Sequence, residues 1–88
     1  MMGKAHRNIP KPWWKGDVLG HWVDETGLTD EAFAAEIGWE RKAIVRARAG
    51  THASIELLAA VARRCGKPLV DILTPEAAKK YGILALSG

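Results

Sequence analysis

Glycine recurs along this chain at intervals that leave room only for short helices. Gly27, Gly38, Gly50 and Gly66 each close a segment with helical apolar spacing, and a glycine just past such a segment is a common helix stop. The starts are marked too. Thr29 and Ser54 stand where helix N-caps are expected, Asp17 can cap a helix ahead of Val18, and Thr74 precedes Pro75 at a first helical position. Alternation of the strand type persists nowhere. The reading is all-α, a compact bundle of about five or six helices.

Each segment offers one apolar face. Val18, Leu19, Trp22, Val23 and Thr26 share the first, and Phe33, Ala34 and Ile37 the second. In the third, expected from Glu40 to Ala49, the inward residues Ala43, Ile44 and Ala47 are small or medium, which permits close packing. Ile55, Leu58, Val61, Ala62 and Cys65 face inward in the fourth. "LVDIL" after Pro68 reads as a short helical turn or a fifth helix, and "TPEAAKKYG" as a last helix stopped by Gly82. Residues 1–16 read as an extended basic arm, because Pro10 and Pro12 disfavour helix, with Trp13 and Trp14 anchoring its end on the body. Residues 17–82 form the domain, with Trp22 in its core and Trp39 either in the core or half exposed at its turn, and 83–88 an apolar tail.

Composition removes several classes of function. An apolar share of 48% is too high for disorder. Cys65 is the only cysteine, so neither an intramolecular disulfide nor a Cys-rich zinc site is available, and it reads as apolar-face filler. No apolar run approaches the ~18 residues of a membrane span, and the basic start lacks the apolar stretch of a secretory signal. A soluble, cytoplasmic protein of a prokaryotic or phage-infected cell is expected. His21, Asp24 and Glu25 cluster at helical spacing without a second histidine or cysteine, so no metal is expected there. No catalytic pair or phosphate-cradling glycine loop stands out, so the chain is read as a non-enzyme without cofactor.

The charge excess is mild, 13 Lys and Arg against 10 Asp and Glu, so its placement matters more than its total. The third helix concentrates it: Arg41, Lys42, Arg46 and Arg48 against Glu40. The bland reading is a solvated helix face. A sharper one comes from the geometry of duplex DNA, whose major groove admits one helix that presents side chains to base edges. The opposite face of that helix must be apolar so that a preceding helix can brace it. "TDEAFAAEIGWERKAIVRARAG" meets both demands, with Ala34 small where the two helices approach, and reads as a helix-turn-helix.

With these residues in register, positions 18–73 resemble the phage-repressor helix-turn-helix family, the Cro and Xre group. The resemblance runs through "GLT", Ala34, "IG", Ile44, Gly50, "SIELL", Gly66 and "LVDIL". It implies a lambda-repressor-like DNA-binding fold. It also implies sequence-specific binding to a double-stranded operator, usually as a homodimer on a palindromic site, and hence a Cro-like repressor. Carried over by position, Glu40, Arg41, Lys42 and Arg46 become the base readers. Arginine can bond bidentately to guanine, and glutamate can accept from cytosine. Val45 is placed to touch a thymine methyl. Thr29 and the amides opening the second helix are placed for one phosphate, and Thr51, His52 and Ser54 for another. Where the family commonly pairs a glutamate near the end of the third helix with an arginine in the first, this chain has Arg48 and an acidic first helix. Either the pair is reversed, or Arg48 is free for phosphate.

Lys4, Arg7, Lys11 and Lys15 of the arm can lie along a groove, or the arm can be a frayed terminus. Dimerisation is expected through the C-terminal segment. Two rival readings remain at this stage: an autoregulating antitoxin with a toxin as partner, and a protein-interaction module that kept the fold without binding DNA. Asp30 and the acidic first helix speak for the second.

Overall fold

A computed structural model describes residues 13–80. Five α-helices and one short 3-10 helix follow in order: α1 (Gly16–Glu25), α2 (Asp30–Ile37), α3 (Arg41–Ala49), α4 (Ile55–Cys65), the 3-10 turn (Leu69–Ile72) and α5 (Pro75–Lys80). Among the described residues there is no strand, only an isolated antiparallel bridge between Trp14 and Leu73. The chain is a small all-helical bundle. No helix among the described residues is long and apolar enough to cross a membrane.

Local chemistry explains most element ends. The Thr29 hydroxyl accepts from the Ala32 amide at 3.1 Å, and the Ser54 hydroxyl from the Leu57 amide at 3.1 Å, each satisfying a donor that a helix start leaves without a partner. Thr74 does the same for Ala77 at 3.3 Å. The glycines that flank α3, Gly38 and Gly50, have φ of 81° and 78°, a conformation a side chain disfavours. Thr26 closes α1: its hydroxyl donates to the Val23 carbonyl at 2.6 Å and accepts from the Leu28 amide.

Leu19, Val23, Phe33, Ile44, Leu58, Val61 and Ile72 are fully buried, and each such side chain contributes about 1.5–3 kcal/mol on leaving water. α3 packs chiefly on α2 and α1, turning Ile44 and Ala47 inward. In α4 the buried set includes Leu57, which was not expected inward, whereas Ile55 and Cys65 are only half-buried.

The expected start of the domain is corrected. Asp17 does not cap α1. The helix opens two residues earlier, at Gly16, with Lys15 at the cap position and no side-chain cap bond. The reason is tertiary: the Lys15 amide donates to the Ile72 carbonyl at 2.7 Å, and the Thr74 amide to the Trp13 carbonyl at 3.1 Å. These bonds fix the chain direction before Asp17, which lies in the first turn and there complements the positive helix end. Trp13 and Trp14 are thus anchored on the body, as expected, and Lys15 and Gly16 run directly into α1. Trp14 is 5% exposed and its indole N–H donates to the Ala47 carbonyl at 2.9 Å. Lys4, Arg7 and Lys11 and the 83–88 tail lie outside the described residues, as does Gly82.

Candidate nucleic-acid interface

The outward side of α3 is a continuous stripe. Arg41, Lys42, Val45, Arg46 and Ala49 are exposed, whereas Ile44 and Ala47 are fully buried on the other side. With 3.6 residues per turn, a stripe at these positions spans a single face of the helix. Arg41, Lys42 and Arg46 make no ion pair with any described residue. Glu40, the N-cap residue, is extended in backbone and makes no capping bond with its side chain, which is exposed.

Arg48 behaves differently from the three cations beside it. Its guanidinium is tied to Asp24 of α1 by a short hydrogen bond and to Asp30 of α2, with Nε 3.1 Å and Nη2 3.0 Å from the Asp30 carboxylate. The hydrogen bond from Arg48 lowers the Asp24 carboxyl below its ordinary value, and the same bond raises Arg48. The reversed pair is the one formed, and Arg48 is engaged with two carboxylates and not free for phosphate. The same network gives Asp24 and Asp30 a shared partner in the guanidinium that buttresses α3.

Behind this buttress the helices come unusually close. A Cβ built on Gly16 would lie 2.5 Å from the Arg48 carbonyl oxygen and 2.9 Å from that of Ala47. A Cβ on Gly20, one turn later, would meet Arg48 Nη1 at 2.9 Å. Gly16 and Gly20 form a notch in α1 that receives the C-terminal end of α3. Trp14 pins the same end through the Ala47 carbonyl, which also accepts from the Gly50 amide. The C-terminal half of α3 is held from three directions.

Between α3 and the loop that follows it runs a cleft of about 400 Å³. It brings together Glu40, Lys42 and Arg46 of α3 with His52 and Ser54 of the following loop, and Trp39 forms part of its lining. Five residues selected from the sequence thus converge. Ser54 uses a lone pair to cap α4, so its proton remains available to an anion. Leu57, Ala43 and Ala53 also line the cleft.

Arg41 and Val45 lie outside the cleft on the exposed stripe, and Thr29 and Thr51 also lie outside it. Thr29 is exposed and accepts a capping bond, which leaves its own proton to donate. Thr51 is corrected: both its amide and its hydroxyl donate to the Arg46 carbonyl, at 3.1 and 3.2 Å. Neither donor is left for a phosphate. Lys15 is exposed at the start of α1.

Sequence reasoning did not select Trp39 as a lining residue, nor the Gly16–Gly20 notch. Trp39 is half-buried, not fully in the core; its place between the Gly38 stop and the Glu40 cap was the available signal. Away from the stripe, Glu25 pairs with His21 at 3.0 Å and with Lys67 at 3.8 Å. Arg64 pairs with Glu36 at 2.6 Å. Among the described residues no group of three or more His, Cys, Asp or Glu could hold a metal ion. Cys65 is half-buried with its thiol 3.7 Å from the Trp22 carbonyl, and burial pushes that thiol up.

No family model matches the chain, and neither a curated protein nor a solved structure is found similar to it.

Proposed function

We propose that this chain is a sequence-specific double-stranded DNA-binding protein of the lambda-repressor-like type. On this reading it is a small transcription regulator of Cro-like action that binds a palindromic operator as a homodimer. The observation that carries this reading is the contrast within α3. Three outward cations have no carboxylate partner among the described residues, whereas the fourth, Arg48, is held by two. A helix braced at one end, apolar on its inner face and cationic on its outer face has the form a major groove accepts.

In this reading Arg41 and Arg46 read guanine, Glu40 and Lys42 the neighbouring base edges, and His52 and Ser54 the strand that passes the cleft. Thr29 donates to a second phosphate, and Lys15 adds charge at the base of the arm. The ground for a protein-interaction module was the acidity of Asp30 and α1; Asp30 and Asp24 share Arg48 as a partner, and Glu25 pairs with His21 and Lys67. An antitoxin role would add a toxin-binding surface to the same DNA-binding face.

Selection of bound sequences from a random duplex pool, followed by mobility-shift titration, tests the proposal. A two-fold symmetric site is expected, with affinity falling linearly in log–log with salt at a slope near −0.9 per phosphate neutralised. Arg41→Ala should relax preference at one base pair per half-site by about 1–3 kcal/mol. Failure to enrich any sequence, with no salt-sensitive duplex complex, would overturn the reading.

A further inference from the structure

Val45, at 39%, is the exposed large hydrophobic side chain of the described residues. A single apolar residue on a surface ordinarily needs no explanation, but this one has particular neighbours. At about 100° per residue, Val45 lies around α3 between Arg41 on one side and Lys42 and Arg46 on the other. An apolar knob therefore stands within a face of unpaired cations. The cations call for a polyanion, and the knob calls for something apolar displayed by that polyanion. In a duplex, the major-groove edge offers one such group, the C5-methyl of thymine. A methyl on C5 of cytosine occupies the same place on the pyrimidine ring.

We propose that Val45 reads a pyrimidine C5-methyl, and that operator affinity consequently responds to cytosine methylation at the position it covers. Within each type of base pair the methylated pyrimidine is favoured: thymine over uracil, and 5-methylcytosine over cytosine. The inference rests on the DNA-binding reading above and adds a covalent mark on the DNA as a regulator of the same site. Valine suits this task because its β-branch leaves essentially one χ1 rotamer in a helix. Its two methyl groups present a fixed surface, and little side-chain freedom is lost on contact. Arg41 lies one turn before it and Arg46 immediately after it, where each can bond a guanine beside the methylated pyrimidine.

The test uses the duplex recovered by selection. Each thymine of a half-site is replaced in turn by deoxyuridine, each cytosine by 5-methylcytosine, and Kd is measured by fluorescence anisotropy for the wild type and for Val45→Ala. At one position per half-site, loss of the methyl should weaken wild-type binding about fourfold, the worth of one buried methyl-sized group. A 5-methylcytosine at that position should bind better than cytosine by a similar factor. Val45→Ala should bind the methylated and unmethylated duplexes equally and keep the wild-type Tm, since the side chain faces solvent. Indifference to the methyl at every pyrimidine of a specifically bound duplex, or full methyl preference in Val45→Ala, would overturn the inference and leave the DNA-binding reading standing. If no duplex is selected, both fall.

Discussion

Alanine placed at two glycines one turn apart in α1 should have unequal consequences. At Gly16 the new Cβ would press on the backbone carbonyl oxygens of Arg48 and Ala47, at 2.5 and 2.9 Å. Neither oxygen can move without shifting α3, and the Ala47 carbonyl is further held by Trp14. Overpacking of this kind costs about 1–3 kcal/mol. Gly16 is the first residue of its helix, so little interior helix propensity is gained in return. A central cost of about 2 kcal/mol would lower Tm by about 8–16 °C in a domain of this size. At Gly20 the three nearest atoms all belong to the Arg48 side chain, the closest being Nη1 at 2.9 Å. That side chain can swing away, at the expense of its contacts with Asp24 and Asp30. Against this loss stands a gain of about 0.8–1.0 kcal/mol for alanine over glycine inside a helix. Gly20→Ala should thus fall within about 1 kcal/mol of wild type. In an Arg48→Ala background the obstacle is gone, and the same change should stabilise by about 0.8–1.0 kcal/mol. Thermal and urea unfolding followed by circular dichroism gives all four numbers, and the double-mutant cycle isolates the coupling. If Gly16→Ala is as stable as wild type, or if Gly20→Ala has the same effect with and without Arg48, the close approach of α1 and α3 is not as described.

Two further outcomes follow from the same region. Asp24 has its carboxyl lowered by the hydrogen bond from Arg48, so its contribution to stability is complete above the ordinary value of 3.8 and is lost as pH falls through the lower folded value. The difference in urea midpoint between wild type and Asp24→Asn should therefore hold steady from neutral to mildly acidic pH and vanish in strong acid; a difference that persists there would contradict the assignment. Trp14→Phe removes the indole donor to Ala47 and leaves space in the core, a cost of about 1–3 kcal/mol, measurable as a lowered urea midpoint with an unchanged m-value.

The Arg48–Asp30 pair bears on the proposed DNA recognition. A carboxylate at the start of α2 would repel a phosphate backbone if it stood alone. Arg48 draws it toward α3, and the Asp30 side chain is only 22% exposed as a result. The same arginine joins α1, α2 and α3, so it fixes the attitude at which the cationic stripe is presented. On the proposed DNA-binding reading it is a positioning residue, and its removal should weaken binding to all sequences alike, unlike removal of Arg41.

The sequence by itself determined where the helices stop and start, because those decisions are local. Glycine tolerates the left-handed turn at 38 and 50, and the hydroxyls of Thr29, Ser54 and Thr74 satisfy amides three residues on. It also determined which face of α3 is apolar, since a helical period needs only neighbouring residues. Five of the selected site residues then met in one cleft, because α3 and its following loop are consecutive in the chain. Only the tertiary structure decided what lies against those faces. Arg48 finds Asp24 and Asp30 across 24 and 18 residues of chain, and the Trp14 indole finds Ala47 across 33. Periodicity carries no information on such separations. For the same reason Asp17 looked like a cap and Gly16 like the end of an arm. In each case a bond or a close approach to a neighbouring element or turn decided the outcome, and that neighbour is set by how the helices pack.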